Sequence, residues 1–445
     1  MDELRSRIVA MTKAGVFGPP GTWPYVRDNN GDQAVGLQFA SEIEFFRIGL
    51  DRSGGFDAPR PPGANPPCAS RPPGATNPCA SHPPQPPGAS ECDYEEIFIA
   101  VKTQLKGSKE RQFTNMDAMF FNEVFMYKTL IHTIEAEDFF PKCFYAEACA
   151  GNNPARDIVI TEDVKQRGFR TVHGDTLDLA HLKLALGRLG RFHGLSYRAK
   201  RRQGFANVAE LRPIKFDDEF GALLSATTSR GIEPLVCDEK YAGPLAALRS
   251  ELREGRSVLR SLKTPQEPYA VLCHGEFHKS NMMFSYDGNG DVDDVVFLDL
   301  QMSLYSDPST DISFLLHMNA PQTTRDEHWD DLLAEYWTGV TSVVDDPGFG
   351  FDEFSSNFRK KCVYGFLPTS IFLPLTMDDV EADESIEDFL SHPVQERIAM
   401  MGQMGGARAT EALAAILKDL VRRGCVDAFL GHYNSTKQRQ IEENS

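Results

Sequence analysis

The order of apolar and polar positions divides the chain into two unlike parts. Toward the front, Ser41-Glu-Ile-Glu-Phe-Phe-Arg-Ile-Gly49 alternates in part, with Ile43, Phe45 and Ile48 as its apolar set, and predicts a strand entered through a turn over Gly36 to Ser41. Ile97 to Thr103 is rich in β-branched and aromatic residues and predicts a second strand; Ile158 to Thr161 predicts another, ending at Glu162-Asp163. Between them, Asp117 to Ile131 is an apolar-rich stretch expected to be helical. From Asp163 to Ser196 the pattern is helical, carried by Leu177, Leu182, Leu184, Leu186, Leu189 and Phe192. The rest reads as mainly helical, interrupted by one hairpin between Met282 and Leu300. The expectation is an α+β fold of two lobes. An N-terminal extension (1–30) precedes a small antiparallel-sheet lobe (31–163), a larger helical lobe (164–430) and a flexible tail (431–445).

One segment has no pattern of this kind. Twelve of the 28 prolines fall between Pro59 and Pro87, and Pro-Pro-Gly-Ala-Asn-Pro-Pro-Cys-Ala-Ser-Arg from Pro61 is nearly repeated from Pro72. Such a stretch carries few side chains able to form a core, so residues 57–91 are expected to be an extended, disordered insertion. It would form the long tip of a hairpin between two neighbouring strands, a length that loop-closure entropy tolerates cheaply. A weak proline-docking partner for this loop is the other reading.

Composition narrows the function. The 445 residues are too many for one compact core, and 46 Lys and Arg against 64 Asp and Glu give a net charge of −18. That balance argues against a general binder of nucleic acid or anionic membrane, since both need a basic surface. No apolar run is long enough for a signal peptide or a membrane span. Nine cysteines, an odd number without Cys-x-x-Cys pairs, read as reduced thiols of a cytoplasmic protein.

The chemistry is concentrated in Val271-Leu-Cys-His-Gly-Glu-Phe-His-Lys-Ser-Asn281 and in Val295-Val-Phe-Leu-Asp-Leu-Gln301, two runs flanking the turn-forming Asp287-Gly-Asn-Gly-Asp291. In an antiparallel hairpin the start of the first strand lies beside the end of the second, so Asn281 and Asp299 should meet at one end, with Glu276 on the loop leading in. An amide oxygen and a carboxylate are hard ligands suited to Mg²⁺, and a neighbouring carboxylate could accept a proton from a hydroxyl. The competing reading is an acidic turn with incidental carboxylates. A calcium loop starting at Asp287 is excluded by Val292 and Leu298 where Gly and Glu are required. His274 and His278, four apart but beside Gly275 and off any helix, make a poor zinc pair. At the front, Lys102 ends an apolar strand, and Glu123 on the following helix is its obvious partner; the alternative is a surface lysine at a strand end.

Together these residues resemble the ecdysteroid-kinase-like (choline-kinase-like) family of the protein-kinase-like superfold. The likeness rests on His274-Gly-Glu276 with Asn281, on Asp299-Leu-Gln301 followed by Pro308 and Asp311-Ile, and on Phe98-Ile-Ala-Val-Lys102. Phe121-Asn-Glu123-Val-Phe-Met-Tyr127, Ile160-Thr-Glu162-Asp163 and Leu189-Gly-Arg-Phe-His-Gly194 extend it, with Gly36 to Ser41 where a phosphate-covering turn falls. The resemblance implies an ATP- and Mg²⁺-dependent kinase for the hydroxyl of a small molecule, an ecdysteroid or another steroid-like compound. Lys102 held by Glu123 would contact the phosphates, Gly36 and Ser41 would cover them, and backbone at Glu162, Asp163 and Val164 would bind adenine. Asn281 and Asp299 would hold the metal, and Glu276 with His274 would form the catalytic loop. An acceptor pocket is expected near Phe366, Phe372 and Leu373. Glu276 stands where the family has Asp, which keeps a nucleotide-binding pseudokinase open. The acidic run Asp378 to Glu384 keeps a choline- or aminoglycoside-type acceptor open.

Overall fold

The computed structural model describes residues 2–18, 25–28, 41–51, 94–105, 107–202, 205–377 and 386–443. Gly36, the proline-rich segment and the acidic run Asp378 to Glu384 lie outside the described residues.

Strands β1 (Tyr25–Asp28), β2 (Ser41–Asp51), β3 (Tyr94–Gln104), β4 (Cys143–Glu147) and β5 (Ile158–Glu162) form one antiparallel sheet in the order β1-β2-β3-β5-β4. Its register runs from Ser41 opposite Gln104 to Asp51 opposite Tyr94, so β2 and β3 are immediate neighbours and the chain between them leaves and rejoins the sheet at one end. Phe46, Ile48, Ile99, Val101, Ile158 and Ile160 are buried in one cluster. Phe45 falls on the other face, where Lys165 Nζ lies 4.4 Å from its ring centroid. The unbroken period of two separates Phe45 from Phe46, which is why the apolar phase read from the sequence was mixed. Ile8, from the helix Asp2–Lys13, and Phe17 and Val26 complete this core. The first thirty residues therefore include part of the small lobe's packing.

The helix carrying Glu123 spans Met116–Phe125 and continues through one π turn, Met126–Leu130, into Ile131–Ile134. The next long helix begins at Leu179, later than the leucine pattern suggested. Asp178 caps it by accepting from the His181 N–H at 3.0 Å, and Val164–Arg167 is only a 3₁₀ turn. This helix, Leu179–Arg201, crosses Gln322–Thr341 closely enough that a Cβ on Gly190 would stand 2.0 Å from the Tyr336 carbonyl oxygen. Any larger residue there would separate the two helices.

The helical lobe is centred on Val363–Met377, an almost entirely apolar helix packed against Ser309–Asn319. The described part of the expected tail, up to Glu443, continues the helix Cys425–Glu443, and Tyr433 in it is buried. The expected hairpin is present as β7 (Met282–Tyr286) and β8 (Val292–Phe297). A second small ladder, β6 (Val271–Cys273) with β9 (Leu304–Ser306), encloses it in sequence. No helix among the described residues is long and apolar enough to cross a membrane.

Candidate active site

Lys102 is buried near the end of β3, opposite Ile43 on one side and Val159 on the other. An ammonium there requires partners, and it has three. Its Nζ lies 2.8 Å from Glu123 Oε2, 2.8 Å from Asp299 Oδ1 and 3.2 Å from Gln301 Oε1. Burial alone would lower its pKa, but the charges and hydrogen bonds of Asp299 and Glu123 outweigh that and hold it above the ordinary lysine value. The expected Lys102–Glu123 pair is formed, and Asp299 joins it.

The hairpin brings Asn281 and Asp299 together as anticipated. Asn281 immediately precedes β7 and its carbonyl accepts from the Leu298 N–H at 2.9 Å, just past β8. The Asn281 amide nitrogen donates to the Glu276 carbonyl at 3.0 Å, which leaves Oδ1 as its available oxygen. Asp299 has φ +63°, a left-handed conformation that costs a non-glycine residue free energy. In it, Oδ1 accepts from Lys102 and, at 3.4 Å, from the Gln301 N–H, and Oδ2 is the oxygen left over. An amide oxygen and a carboxylate oxygen at the mouth of one hairpin are a hard donor set that fits Mg²⁺.

Glu276 lies on the loop between β6 and β7. Gln301 Oε1 accepts from the Lys102 ammonium at 3.2 Å, and Gln301 lies near enough to the Glu276 carboxyl to act on its pKa. Burial, reinforced by the charge of Asp299, pushes the Glu276 carboxyl up to about 8, against the pull of Lys102, Gln301 and Lys263. The turn preceding it needs glycine, because Gly275 has φ +87° and a Cβ would stand 1.9 Å from the Met302 carbonyl oxygen.

His274 is placed differently from a proton-transfer residue. Its Nε2 donates to the Leu298 carbonyl at 2.8 Å and its Nδ1 accepts from the Glu276 N–H at 3.4 Å, so both ring nitrogens are engaged with backbone. Burial lowers its pKa, in keeping with a neutral ring. It braces the loop. His278 is likewise buried and pushed down to about 4, first by burial and then by His274. It stacks on Phe372 at 6.2 Å.

The residues expected to meet adenine lie at the end of β5 and just past it. Glu162 ends β5, but its carboxylate accepts from the Lys142 N–H at 3.0 Å and from Arg167 at 2.8 Å. That side chain lines a cavity of about 900 Å³ with Tyr127, Lys142 and Arg188. Asp163 caps the following turn, accepting from the Lys165 N–H at 3.2 Å. Val164 is buried with Phe169, Met283 and Val296, an apolar floor beneath the hinge. Ser41 is buried at the start of β2. The expected acceptor surface needs correction: Phe366 and Leu373 are buried in the core, since their helix is covered on nearly every side, and Phe372 alone of the three is half-exposed near the loop.

Three contributors had little signal in the sequence. Asp311 accepts from the His274 N–H at 2.7 Å and the Gly275 N–H at 2.8 Å, and from His193 Nε2 at 3.1 Å. His193 in turn contacts the Tyr336 hydroxyl at 3.0 Å, so the loop is anchored to two helices. The motif position of Asp311 was visible, but its task was not. Gln301 was visible only as the end of a triplet. Lys263 had no signal at all: it ends the helix Gly255–Lys263, close enough to Glu276 for their charges to interact, and burial pushes it down to about 8.

The sequence model of the ecdysteroid kinase-like family matches residues 89–346, more than half of the chain. The chain belongs to this family. The ecdysteroid kinase-like match contains Lys102, Glu123, Glu276, Asn281 and Asp299 together. The architecture is α+β, a five-stranded antiparallel sheet followed by a mainly helical remainder. Among solved structures, a choline/ethanolamine kinase family protein from Mesorhizobium loti is similar at 15% identity, covering 73% of this chain and 89% of its own, with a TM-score of 0.35. An ethanolamine kinase from Plasmodium vivax is similar at 12% identity, covering 89% and 86%, with a TM-score of 0.36. A choline kinase from Streptococcus pneumoniae is similar at 14% identity, covering 72% and 86%, with a TM-score of 0.34. No curated protein matches the chain.

Proposed function

We propose that this ecdysteroid kinase-like protein transfers the γ-phosphoryl group of ATP to a hydroxyl of a small molecule, using Mg²⁺. The observation that carries this reading is the cluster in which buried Lys102 joins Glu123 to Asp299 and also donates to Gln301, with Glu276 close by on the loop between β6 and β7. Each side chain then has a role set by its position. Lys102, kept charged by two carboxylates, orients the triphosphate as a point charge. Asn281 Oδ1 and Asp299 Oδ2 would hold Mg²⁺, which when bound neutralises phosphate charge. Glu276 receives the acceptor hydroxyl and takes its proton. Backbone at Glu162 to Val164 takes the adenine above the apolar floor of Val164, Phe169, Met283 and Val296.

A neutral, largely apolar acceptor such as an ecdysteroid or another steroid-like alcohol fits better than choline. Lys263 places a cation near enough to Glu276 for their charges to interact, which disfavours a quaternary ammonium there, and Phe216 lies 5.4 Å from the same ammonium, stacked on Phe220 at 4.0 Å. The test is incubation of the protein with Mg·ATP and a panel of hydroxysteroids, choline and aminoglycosides. The reading expects a mass gain of one phosphate on a steroid-type alcohol; phosphate transfer to choline alone would refute the acceptor class.

One observation favours a second reading, a pseudokinase. A Glu276 carboxyl pushed up to about 8 is mostly protonated at neutral pH and cannot then act as a base. Binding of ATP with no transfer to any acceptor, at pH 7 or pH 9, would favour it.

A further inference from the structure

The helix that carries Glu123 is buried on two faces, and only one of them meets Lys102. Asn122 and Glu123 are both buried, although neighbouring residues of a helix point about 100° apart. Glu123 reaches the lysine, while Asn122 reaches a residue 90 positions away in the helical lobe. Its Nδ2 donates to the Arg212 carbonyl at 2.9 Å, and its Oδ1 accepts from the Arg212 N–H at 2.8 Å. One side-chain amide thus engages both backbone groups of one residue, as a neighbouring strand would.

Two further contacts run along the same helix. Asn115 lies two turns before Asn122, and its Nδ2 donates to the Lys215 carbonyl at 2.6 Å. Seven helical residues rise about 10.5 Å, and three extended residues span about 10 Å. The lengths match, so the strip from Arg212 to Lys215 lies antiparallel along the helix. Pro213 favours this, because the residue before a proline is pushed to extended backbone. The Arg212 guanidinium covers Phe121, 3.8 Å from its ring centroid. The strip is itself fixed: Leu211, Ile214 and Phe216 pack on the main core, and it leads into the helix Asp218–Ile232. Asp217 caps that helix by accepting from the Phe220 N–H at 2.9 Å.

We propose that Asn122 is a positioning residue, which clamps the Glu123 helix to the helical lobe and so holds Glu123 against Lys102. Its meaning for catalysis rests on the kinase reading above. A paired bond to one backbone residue resists both rotation and sliding of the helix. A turn of the helix about its own axis would swing Glu123 off the ammonium. The chain's own fold supplies what would otherwise require a second molecule pressing the helix inward.

The test has two arms on the full chain. In Asn122→Leu, which keeps the volume but leaves both Arg212 groups unpaired, amides 116–125 should exchange with deuterium at least about fivefold faster. Exchange in β3 should stay as it was. Per folded molecule, Asn122→Leu should lower kcat about tenfold in the native background, and less than about twofold where Glu123 is already Ala. Its cost in melting temperature should be the same in both backgrounds. Asn115→Gly is the second variant, since glycine takes up the φ of +57° readily and only the amide is lost. It should shift both readouts in the same direction by less, and it decides the matter if Asn122→Leu does not fold. Unchanged exchange over 116–125 in the folded variant overturns the proposal. So does an equal loss of kcat in both backgrounds, which would mark Asn122 as acting apart from Glu123. No phosphate transfer by the wild-type protein would sink the kinase reading alone, and the exchange arm would still decide whether Asn122 holds the helix.

Discussion

Lys102 and Asp299 are 197 positions apart in the chain, and their side chains meet at 2.8 Å. One belongs to the sheet of the small lobe, the other to the hairpin of the helical lobe. The contact thus ties the lobes through the two residues that would face the triphosphate from opposite sides. Glu123 approaches the same ammonium, so two carboxylates balance it until phosphates compete for it.

Asp299→Ala should lower turnover by at least about a hundredfold, because the principal oxygen proposed to hold the metal is lost. Its side chain keeps 25% of its exposure and Lys102 retains Glu123, so the melting temperature should move little. Steady-state kinetics alongside thermal unfolding separates the two effects. Near-normal turnover, or outright unfolding, would remove Asp299 from the proposed role.

Lys102→Ala and Glu123→Ala should reduce activity to similar extents, and the double variant should be little worse than either alone. Stability should not follow the same rule. Glu123→Ala leaves the ammonium with Asp299, whereas Lys102→Ala leaves two carboxylates without their shared cation, so it should be the more destabilising. Additive activity losses in the double-mutant cycle would show that the pair does not act as a unit.

Glu276→Ala should lose roughly 10²–10⁴ in turnover while ATP affinity stays nearly constant. Glu276→Asp should be slow as well: on the proposed reading the longer side chain is the one that reaches the acceptor, and a shortfall of about 1 Å can cost on the order of a hundredfold. A base must be deprotonated to work, so wild-type activity should fall as pH drops through about 8, and residual activity in Glu276→Gln should lack that limb. A flat wild-type profile between pH 6 and 9 would contradict the assignment.

Much of this site was legible before the structure was considered, for a specific reason. Asn281, Asp299 and Glu276 are close in sequence and joined by a hairpin, whose turn chemistry reports geometry directly. Lys102 with Glu123 was legible because a lysine on an apolar strand requires a counter-charge. Lys263 and the task of Asp311 depend on how helices pack across the lobe, and periodicity cannot report which faces meet. β6 and β9 are three residues each, too short to show a period. Phe366 and Leu373 were misplaced because a helix that is apolar all round gives no direction to its buried face.

Asp311→Asn should disturb the loop without touching its chemistry. The carboxylate serves two loop N–H groups and His193, and an amide cannot accept at both oxygen positions. A loss of about 1–3 kcal/mol in stability is expected from the buried group left unpaired. As a positioning residue, Asp311 should affect kcat more than KM for ATP. A purely structural role would lower the folded fraction and leave kcat per folded molecule unchanged.

His317 should make the fold acid-sensitive. It is buried, neither ring nitrogen has a hydrogen-bond partner, and burial with Arg325 and Arg423 nearby pushes it down to about 3. Between that value and about 6.5 the unfolded chain binds the proton and the folded one does not. Stability should therefore fall as pH drops from about 6.5 toward 3, by up to about 1.4 kcal/mol per unit from this group. His317→Phe keeps a ring against Trp329 and should flatten the dependence when chemical denaturation is followed at pH 5 and pH 7. An unchanged slope would mean that another group sets it.

The β6–β9 ladder has a kinetic consequence. Val271 pairs with Ser306 and Cys273 with Leu304, so Glu276, Asn281, Asp299 and Gln301 all lie on one excursion of the chain between two hydrogen-bonded strands. Asp311 fastens the near side of that excursion to a helix just beyond β9. Opening the excursion means breaking the ladder, and once broken it frees every group on it. Amide protons from 274 to 303 should accordingly exchange with deuterium as a single cooperative unit, so that this half of the site is lost together while the Lys102 strand stays protected in its own sheet.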